Sequence, residues 1–184
     1  MPVMLKRLLP FFLCCLPCVA WSQINVNTFS GNNSVTIIVQ QASRPYEYSA
    51  HNMIARLNTS LRQLEFLVPN NRFYASDSSR NIKLFRSLLS RDTTRAPFSL
   101  ILDLEGGGIE LGEFEGQPLT LEGNIMVGTL SFRRPVQVVG YYRNNTLILD
   151  FSTDINNDAA TRMPYGIETI KLSGQGITIR NLTD

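Results

Sequence analysis

The stretch Phe98-Ser99-Leu100-Ile101-Leu102-Asp103-Leu104 has the clearest period in the chain. Its even-numbered positions all carry large apolar side chains, whereas Ser99 and Asp103 fall between them. Because successive side chains of a β-strand point to opposite faces, this alternation predicts a strand with one apolar and one polar face. Ile101 departs from the pattern, since it adds an apolar side chain to the polar face.

Further runs along the chain have a similar composition. They are rich in Val, Ile, Thr, Phe and Tyr, and clusters of Gly, Asn, Asp and Pro separate them, which is typical of an all-β domain. The half-apolar pattern recurs at Thr129-Leu130-Ser131-Phe132 and, with Ile148 as an exception, at Leu147-Ile148-Leu149-Asp150-Phe151. The predicted strands are 24–29, 35–40, 46–57, 61–68, 98–104, 119–127, 129–132, 136–142, 146–153, 166–172 and 176–181.

The clusters between these runs offer residues that tolerate a positive φ. They include Ser30-Gly31-Asn32-Asn33, Pro69-Asn70-Asn71, Gly106-Gly107-Gly108, Arg143-Asn144-Asn145 and Ser173-Gly174-Gln175-Gly176. Strands joined by such short turns are mostly antiparallel neighbours. A sheet of about eight such strands closes into a barrel whose interior is either filled by side chains or holds one ligand. The alternation leaves both readings open.

One segment has a helical period. In Ser78 to Ser90, the apolar residues Ile82, Phe85 and Leu89 are three and four positions apart, with Ser78 or Ser79 as a candidate N-cap. We therefore predict one short amphipathic helix, which packs its apolar face on the core or covers one mouth of the barrel.

The N-terminus has the pattern of a cleaved secretory signal. Lys6 and Arg7 precede a mostly apolar run from Leu8 to Val19. The predicted cleavage follows Ser22, so the small residues Ser22 and Ala20 lie one and three places before the cut. This apolar run is shorter than the roughly 20 residues of a membrane-spanning helix. We predict a signal peptide at 1–22 and one domain at 23–184, in a periplasmic or secreted protein.

The cysteines and the single histidine limit the chemistry of the predicted mature chain. Cys14, Cys15 and Cys18 all lie in the leader, and Pro17 before Cys18 does not resemble a bacterial lipobox. Disulfides, thiolate metal ligands and cysteine nucleophiles are thereby excluded. A transition-metal or haem site would have to rest on the lone His51, which a strand more often carries as an ordinary surface or packed residue.

Charge and carboxylates also argue against most other functions. Of the 17 Lys and Arg residues, Lys6 and Arg7 lie in the leader, so the other 15 balance the 15 Asp and Glu residues. This neutral balance gives no footprint for nucleic acid. Asp103 with Glu105, and Asp150 with Asp154, are the pairs that a glycosidase would need, but acids at strand ends are usually solvated. We therefore predict no catalytic residues and no metal.

Several segments between Leu61 and Ile179 occur in the order that the YceI-like family shows. They are 61–68, 76–89, Arg95-Ala96-Pro97-Phe98, the segment Gly128-Thr129-Leu130-Ser131-Phe132-Arg133-Arg134-Pro135-Val136, which is similar to a family hairpin turning before Pro-Val, and 151–156 followed by Tyr165-Gly166-Ile167. The chain departs from the family at 23–57, which lacks the usual Asp-x-x-His-Ser opening, and in the short turn Arg133-Arg134-Pro135.

The resemblance implies a bacterial exported protein with an antiparallel lipocalin-like β-barrel around an isoprenoid-like lipid. It implies no cofactor other than such a lipid, and partners such as membrane or respiratory-quinone enzymes. A basic set around the predicted helix would suit a lipid phosphate or transient contact with an anionic membrane, although a solvated helix face explains it as well. This set contains Arg72, Arg80, Lys83, Arg86, Arg91 and Arg95.

The functional prediction is a binding or carrier protein, not an enzyme, which holds an apolar or amphiphilic lipid inside the barrel. The alternative is an envelope interaction or scaffold protein whose barrel is filled by its own side chains. The predicted ligand-binding residues come from the alternating apolar faces and are Leu64, Phe66, Phe98, Leu100, Leu102, Leu130, Phe132, Val136, Val138, Leu147, Leu149 and Phe151.

Overall fold

The computed structural model describes residues 26–30, 33–69, 73–75, 84, 88, 97–159, 161–180 and 182. Most of the described chain is β-structure, with a 3-10 helix at Leu111–Glu113 and α-helical residues at Leu84 and Leu88. The strands are β1 (Val26–Ser30), β2 (Ser34–Gln41), β3 (Arg44–Ala50), β4 (Ile54–Asn58), β5 (Gln63–Val68), β6 (Tyr74–Ala75), β7 (Phe98–Asp103), β8 (Glu115–Val127), β9 (Leu130–Arg143), β10 (Thr146–Asn156) and β11 (Ile167–Arg180).

All these strands belong to one antiparallel sheet, in the order β1-β4-β5-β7-β8-β9-β10-β11-β2-β3-β6. β1 and β2 succeed one another along the chain, as do β3 and β4. β1 pairs with β4, with Ser30 opposite Ile54, and β2 pairs with β3, with Val35 opposite Ala50. Because β2 also pairs with β11, the sheet curls back toward its own first strand. The prediction of an all-β, antiparallel, lipocalin-like barrel is confirmed.

The alternation predicted from the sequence sets the inner face of the barrel. In β7, Phe98, Leu100 and Leu102 are fully buried, whereas the residues between them are only half-buried. In β10 the odd-numbered residues are buried and Ile148 is 48% exposed, so its apolar side chain lies on the outer face. Burying one face of each strand against the opposite wall gives the barrel a continuous apolar core.

The predicted turn at Arg133-Arg134-Pro135 is wrong, as is the hairpin expected there from the family resemblance. The predicted strands 129–132 and 136–142 form the single strand β9, and the turn lies at Gly128-Thr129. The Pro135 carbonyl accepts a hydrogen bond from Thr153 of β10, so its ring nitrogen, on the same edge, also faces β10. Backbone pairing between β9 and β10 ends at Ser152 and Gln137, and proline is therefore tolerated.

The predicted turn at Ser173-Gly174-Gln175-Gly176 is also wrong. Strand β11 continues through it, and the pairing with β10 shifts between Leu149 and Phe151, which marks a β-bulge. Gly176 has a φ of +60°, and its N–H donates to Asp150 Oδ1 at 2.6 Å. The glycines accommodate a bulge and not a chain reversal.

Two further differences concern the N-terminal half. The predicted strand 46–57 is interrupted between Ala50 and Ile54, which gives β3 and β4, and Met53 N–H there donates to the Asn33 carbonyl. The two-residue strand β6 pairs with β3 and had no sequence signal. The cause is a change of partner, since β3 pairs with β6 and β4 pairs with β5.

The predicted helix 78–90 falls mostly outside the described residues. Leu84 and Leu88 are helical and buried, four positions apart as on one face of a helix. Ile82, Phe85 and Leu89, the face predicted from the sequence, lie outside the described residues. The Leu88 carbonyl packs so closely over Gly128 that a Cβ there would lie 1.4 Å from its oxygen.

Candidate ligand-binding interior

The structure brings the predicted ligand-binding residues together on the inner face of β5, β7, β9 and β10. Ten of them are buried: Leu64, Phe66, Phe98, Leu100, Leu102, Val136, Val138, Leu147, Leu149 and Phe151. Leu130 and Phe132 are partly buried and pack against the same core. The inward direction of these side chains follows from the pattern of burial, whereas contact with a ligand stays a prediction.

The rest of the lining comes from strands that the prediction of the site left out. Its buried apolar residues include Val35, Ile37 and Val39 of β2, Ile125 of β8, and Ile170, Ile177 and Ile179 of β11. The period-two spacing in β2 and at the end of β11 is visible in the sequence and was the signal for them. Together these strands make an apolar lining on all sides.

Phe66 and Phe151 meet across the interior. Phe66 lies on β5 and Phe151 on β10, and in the barrel three wall segments separate these strands in either direction: β7, β8 and β9 one way, and β4, the β1–β2 path and β11 the other. Their ring centroids are nevertheless 5.3 Å apart, with the rings tilted by 49°. This distance is typical of a favourable aromatic contact, so side chains bridge the barrel at this level.

One end of the barrel, here called the Phe114 end, is covered by the connection from β7 to β8. Leu104, Ile109 and Phe114 of this connection are buried there, as is Leu182. The Leu182 N–H donates to the Asn145 carbonyl, and Phe114 packs against Gly140, where a Cβ would lie 2.9 Å from the ring. The apolar side chains of this connection, Leu104, Ile109 and Phe114, therefore close this end of the barrel.

At the other end, the Gly128 end, β9 and β10 separate. Beyond Ser152 and Gln137 their backbones no longer pair, and side chains span the space between the strands. Thr153 Oγ1 donates to the Pro135 carbonyl at 2.9 Å, and Arg134 contacts Thr161 and lies 3.7 Å from Asp158. Leu130 and Phe132 begin β9 at this end, so the apolar lining comes closest to solvent here.

Polar side chains are rare in the described interior. Apart from the Tyr48 phenol, the buried polar residues among the described ones are Asn33, Thr153 and Thr161, and none is charged. Desolvation by burial, with a smaller contribution from Tyr46, raises the pKa of Tyr48 to about 12. The interior is a low-dielectric space that favours uncharged groups.

The groups considered for catalysis lie in turns or on the outer face of the sheet. His51 is exposed, and no group of three His, Cys, Asp or Glu side chains able to hold a metal occurs in the described part of the chain. Asp103 accepts from Gly106 N–H, Asp150 accepts from Gly176 N–H, and Asp154 lies 3.4 Å from Lys171. These carboxylates therefore stabilise turns, a bulge and the outer surface.

Two other predictions concern residues that the structure does not describe. The leader 1–22 and the basic set Arg72, Arg80, Lys83, Arg86, Arg91 and Arg95 lie outside the described residues. Among the described residues, no helix has the length and apolar character needed to cross a membrane.

Comparison with known proteins identifies relatives by structure alone. No protein-family model and no curated protein sequence matches the chain. Its structure is similar to that of a polyisoprenoid binding domain from Saccharophagus degradans implicated in plant cell wall breakdown, with a TM-score of 0.58 and 9% identity, covering 83% of this chain and 96% of that one. It is also similar to BcnA of Burkholderia cenocepacia, with a TM-score of 0.48 and 9% identity, covering 77% and 93%.

The first of these similarities covers 96% of the polyisoprenoid binding domain, so the two structures share their fold over nearly the whole of that domain. The resemblance to the YceI-like family that the sequence suggested is thus confirmed at the level of the fold. The chain has the lipocalin-like barrel fold of the YceI-like proteins.

Proposed function

We propose that this protein binds an apolar or amphiphilic lipid of the isoprenoid type inside its barrel, as an exported carrier and not as an enzyme. The observation that carries the proposal is the apolar lining, to which all walls of the barrel contribute and in which no buried residue among the described ones is charged. Burying hydrocarbon against such a lining gains roughly 25 cal/mol per Å² of apolar surface.

The structural similarity supports this class of ligand, because a polyisoprenoid binding domain has the same fold. An unbranched or isoprenoid chain needs only shape and apolar contact from the wall, which this interior supplies. The Gly128 end is the proposed point of access, since β9 and β10 separate there and Leu130 and Phe132 are incompletely buried. Because the sequence predicts a secretory leader, we expect the protein to bind the lipid in the periplasm or outside the cell.

The test is binding of radiolabelled geranylgeraniol, a C20 isoprenoid alcohol, to protein from which bound lipid has been removed. We expect saturable binding with one site per chain. Absence of saturable binding of this alcohol and of longer isoprenoids would contradict the proposal.

A pair of neighbouring valines on β9 provides matched variants. Val138 is fully buried on the inner face, whereas Val139 is half-buried on the outer face. Val138→Thr places a hydroxyl on the inner face, and the hydrocarbon of the ligand has to displace water from this hydroxyl. We therefore expect about fivefold weaker binding, equivalent to about 1 kcal/mol. Val139→Thr should bind as the wild type does. Equal effects of the two changes would place the ligand outside the barrel.

A second candidate function is favoured by the contact between Phe66 and Phe151. A ring pair that closes at 5.3 Å across the barrel is what a side-chain-filled interaction or scaffold domain requires. In that case lipid uptake is absent in the wild type and appears in the Phe66→Ala variant, which opens the interior. In the carrier, the rings separate to admit the chain, and uptake occurs in both proteins.

A further inference from the structure

Asn33 lies where the barrel wall changes its pairing. It follows β1 and directly precedes β2, and β2 pairs with β11 only as far as Ser34 opposite Gln175. Its burial continues the inner series of β2, because Asn33, Val35, Ile37 and Val39 are all buried, at two-residue spacing. The Asn33 side chain therefore belongs to the inner face of the barrel.

The Asn33 side chain replaces a missing backbone partner. Its Oδ1 accepts a hydrogen bond of 3.1 Å from Thr178 N–H of β11, and its own carbonyl accepts one of 3.1 Å from Met53 N–H. Because Thr178 offers a donor, the amide oxygen has to face it, and this fixes the orientation of the side chain. The amide nitrogen is thereby directed away from Thr178.

This amide nitrogen is a buried donor with no acceptor among the described residues. Asn33 is 2% exposed, so bulk water does not reach the amide group. Leaving such a donor unsatisfied costs about 1 to 3 kcal/mol, which is why buried donors usually have a partner. Thr153 is the contrasting case, because its single hydroxyl proton is used by the Pro135 carbonyl.

We propose that the Asn33 amide nitrogen donates a hydrogen bond to an uncharged oxygen of the bound ligand, a hydroxyl or a carbonyl. This inference rests on the proposed function. An ionised phosphate is disfavoured as the acceptor, because the described interior buries no Lys, Arg or His that would compensate its charge. The lining thus selects the hydrocarbon chain, and Asn33 selects the polar group attached to it.

The experiment compares geranylgeraniol with the C20 isoprenoid hydrocarbon that lacks the hydroxyl, in the wild type and in two variants. Asn33→Leu removes the donor, and Thr153→Val is the matched control, which removes a buried polar group whose proton is already used. The measured quantity is the ratio of the two dissociation constants. This ratio cancels effects of a variant on folding or on hydrocarbon binding.

We expect Asn33→Leu to shift the ratio against the alcohol about fivefold relative to the wild type, as loss of one hydrogen bond predicts. Thr153→Val should leave the ratio unchanged within twofold. Geranylgeranyl phosphate should bind the wild type more weakly than the alcohol. An unchanged ratio in Asn33→Leu would overturn the inference and leave a trapped internal water as the partner of Asn33, while binding of both lipids would still support the proposed function.

If neither lipid binds the wild type, the proposed function fails and this inference fails with it. Should Asn33→Leu not fold, the wild-type side-chain amide is observed directly by nitrogen-15 NMR. Its resonance should move clearly on addition of geranylgeraniol. On addition of the hydrocarbon it should move no more than other interior resonances do. Equal shifts with both ligands would refute the hydrogen bond.

Discussion

The C-terminal half of the barrel, β7 to β11, differs from the N-terminal half, β1 to β6, in how its strands keep their partners. In the C-terminal half each strand pairs with the one that follows it, and the pairs extend over many residues. In the N-terminal half the β1–β2 and β3–β4 paths are interrupted, and their parts differ in outer neighbour, since β2 pairs with β11, β3 with β6 and β4 with β5. Side chains there replace missing backbone partners, as the Asn33 side chain does when it accepts a hydrogen bond from Thr178 N–H.

This difference shows that a continuous lining does not require continuous pairing. Both halves contribute fully buried inward side chains, such as Ile37 and Phe66 in the N-terminal half and Phe98 in the C-terminal half, although the backbone ladders are not equally regular. Substitutions at Phe66 and Tyr48 test the interior, one at Gly128 tests the turn between β8 and β9, and one at Arg133 tests the outer face.

The largest expected effect is that of Phe66→Ala, because Phe66 belongs to the N-terminal half and contacts Phe151 of the C-terminal half. Removing the ring leaves a cavity, and we expect a loss of about 3 to 5 kcal/mol in the free energy of unfolding, measured by urea denaturation without ligand. Ile148→Ala, on the outer face, is the control and should cost less than about 1 kcal/mol. A similarly small cost for Phe66→Ala would show that the interior is not bridged at this level.

Gly128→Ala tests the close approach of Leu88 to the turn between β8 and β9 in the C-terminal half. Gly128 has a φ of +59° and faces the Leu88 carbonyl, whereas Gly176, with a φ of +60°, has open space around the position of a Cβ. Both Gly→Ala variants meet the conformational penalty of about 1 kcal/mol, but only Gly128→Ala adds overpacking of about 1 to 3 kcal/mol. Thermal unfolding of the two variants measures the difference, and equal destabilisation would contradict the close approach of Leu88.

The pH dependence of stability tests the interior of the N-terminal half. The pKa of Tyr48 is raised to about 12, so its neutral form is favoured in the folded protein. The neutral Tyr48 phenol therefore contributes fully to the free energy of unfolding below pH 10, the ordinary pKa of tyrosine. As the pH rises toward 12, on the order of 2 kcal/mol of this free energy is lost. Tyr48→Phe should lack this loss in urea denaturation between these pH values. The control Tyr74→Phe, which changes an exposed tyrosine, should retain it.

The smallest effect is expected on the outer face. Arg133 and Glu122 form an ion pair of 3.3 Å between β9 and β8, and both side chains are largely exposed. Such pairs contribute little, so Arg133→Ala should change the free energy of unfolding by less than about 0.5 kcal/mol. A cost above about 1 kcal/mol would mean that the outer face, and not only the lining, holds these strands together.

The sequence predicted the fold class and the inward residues wherever a strand keeps its partners. Leu147, Leu149 and Phe151 alternate visibly, and the structure buries them. The prediction failed where strand pairing changes. Pro135 lies where β9 no longer pairs with β10, and Gly174 lies at a β-bulge. Both residue types resemble turn residues when the neighbouring strand is unknown. Asn33 was read as a turn residue, since nothing local shows that its side chain replaces a backbone acceptor.

Native mass spectrometry of the protein purified gently from its own host, followed by organic extraction, decides whether the barrel encloses a lipid. We expect a stoichiometric mass increase and an extracted isoprenoid lipid with an uncharged oxygen. Protein that is repeatedly free of lipid, and that also fails to take up isoprenoids, would contradict this expectation and would favour the side-chain-filled barrel.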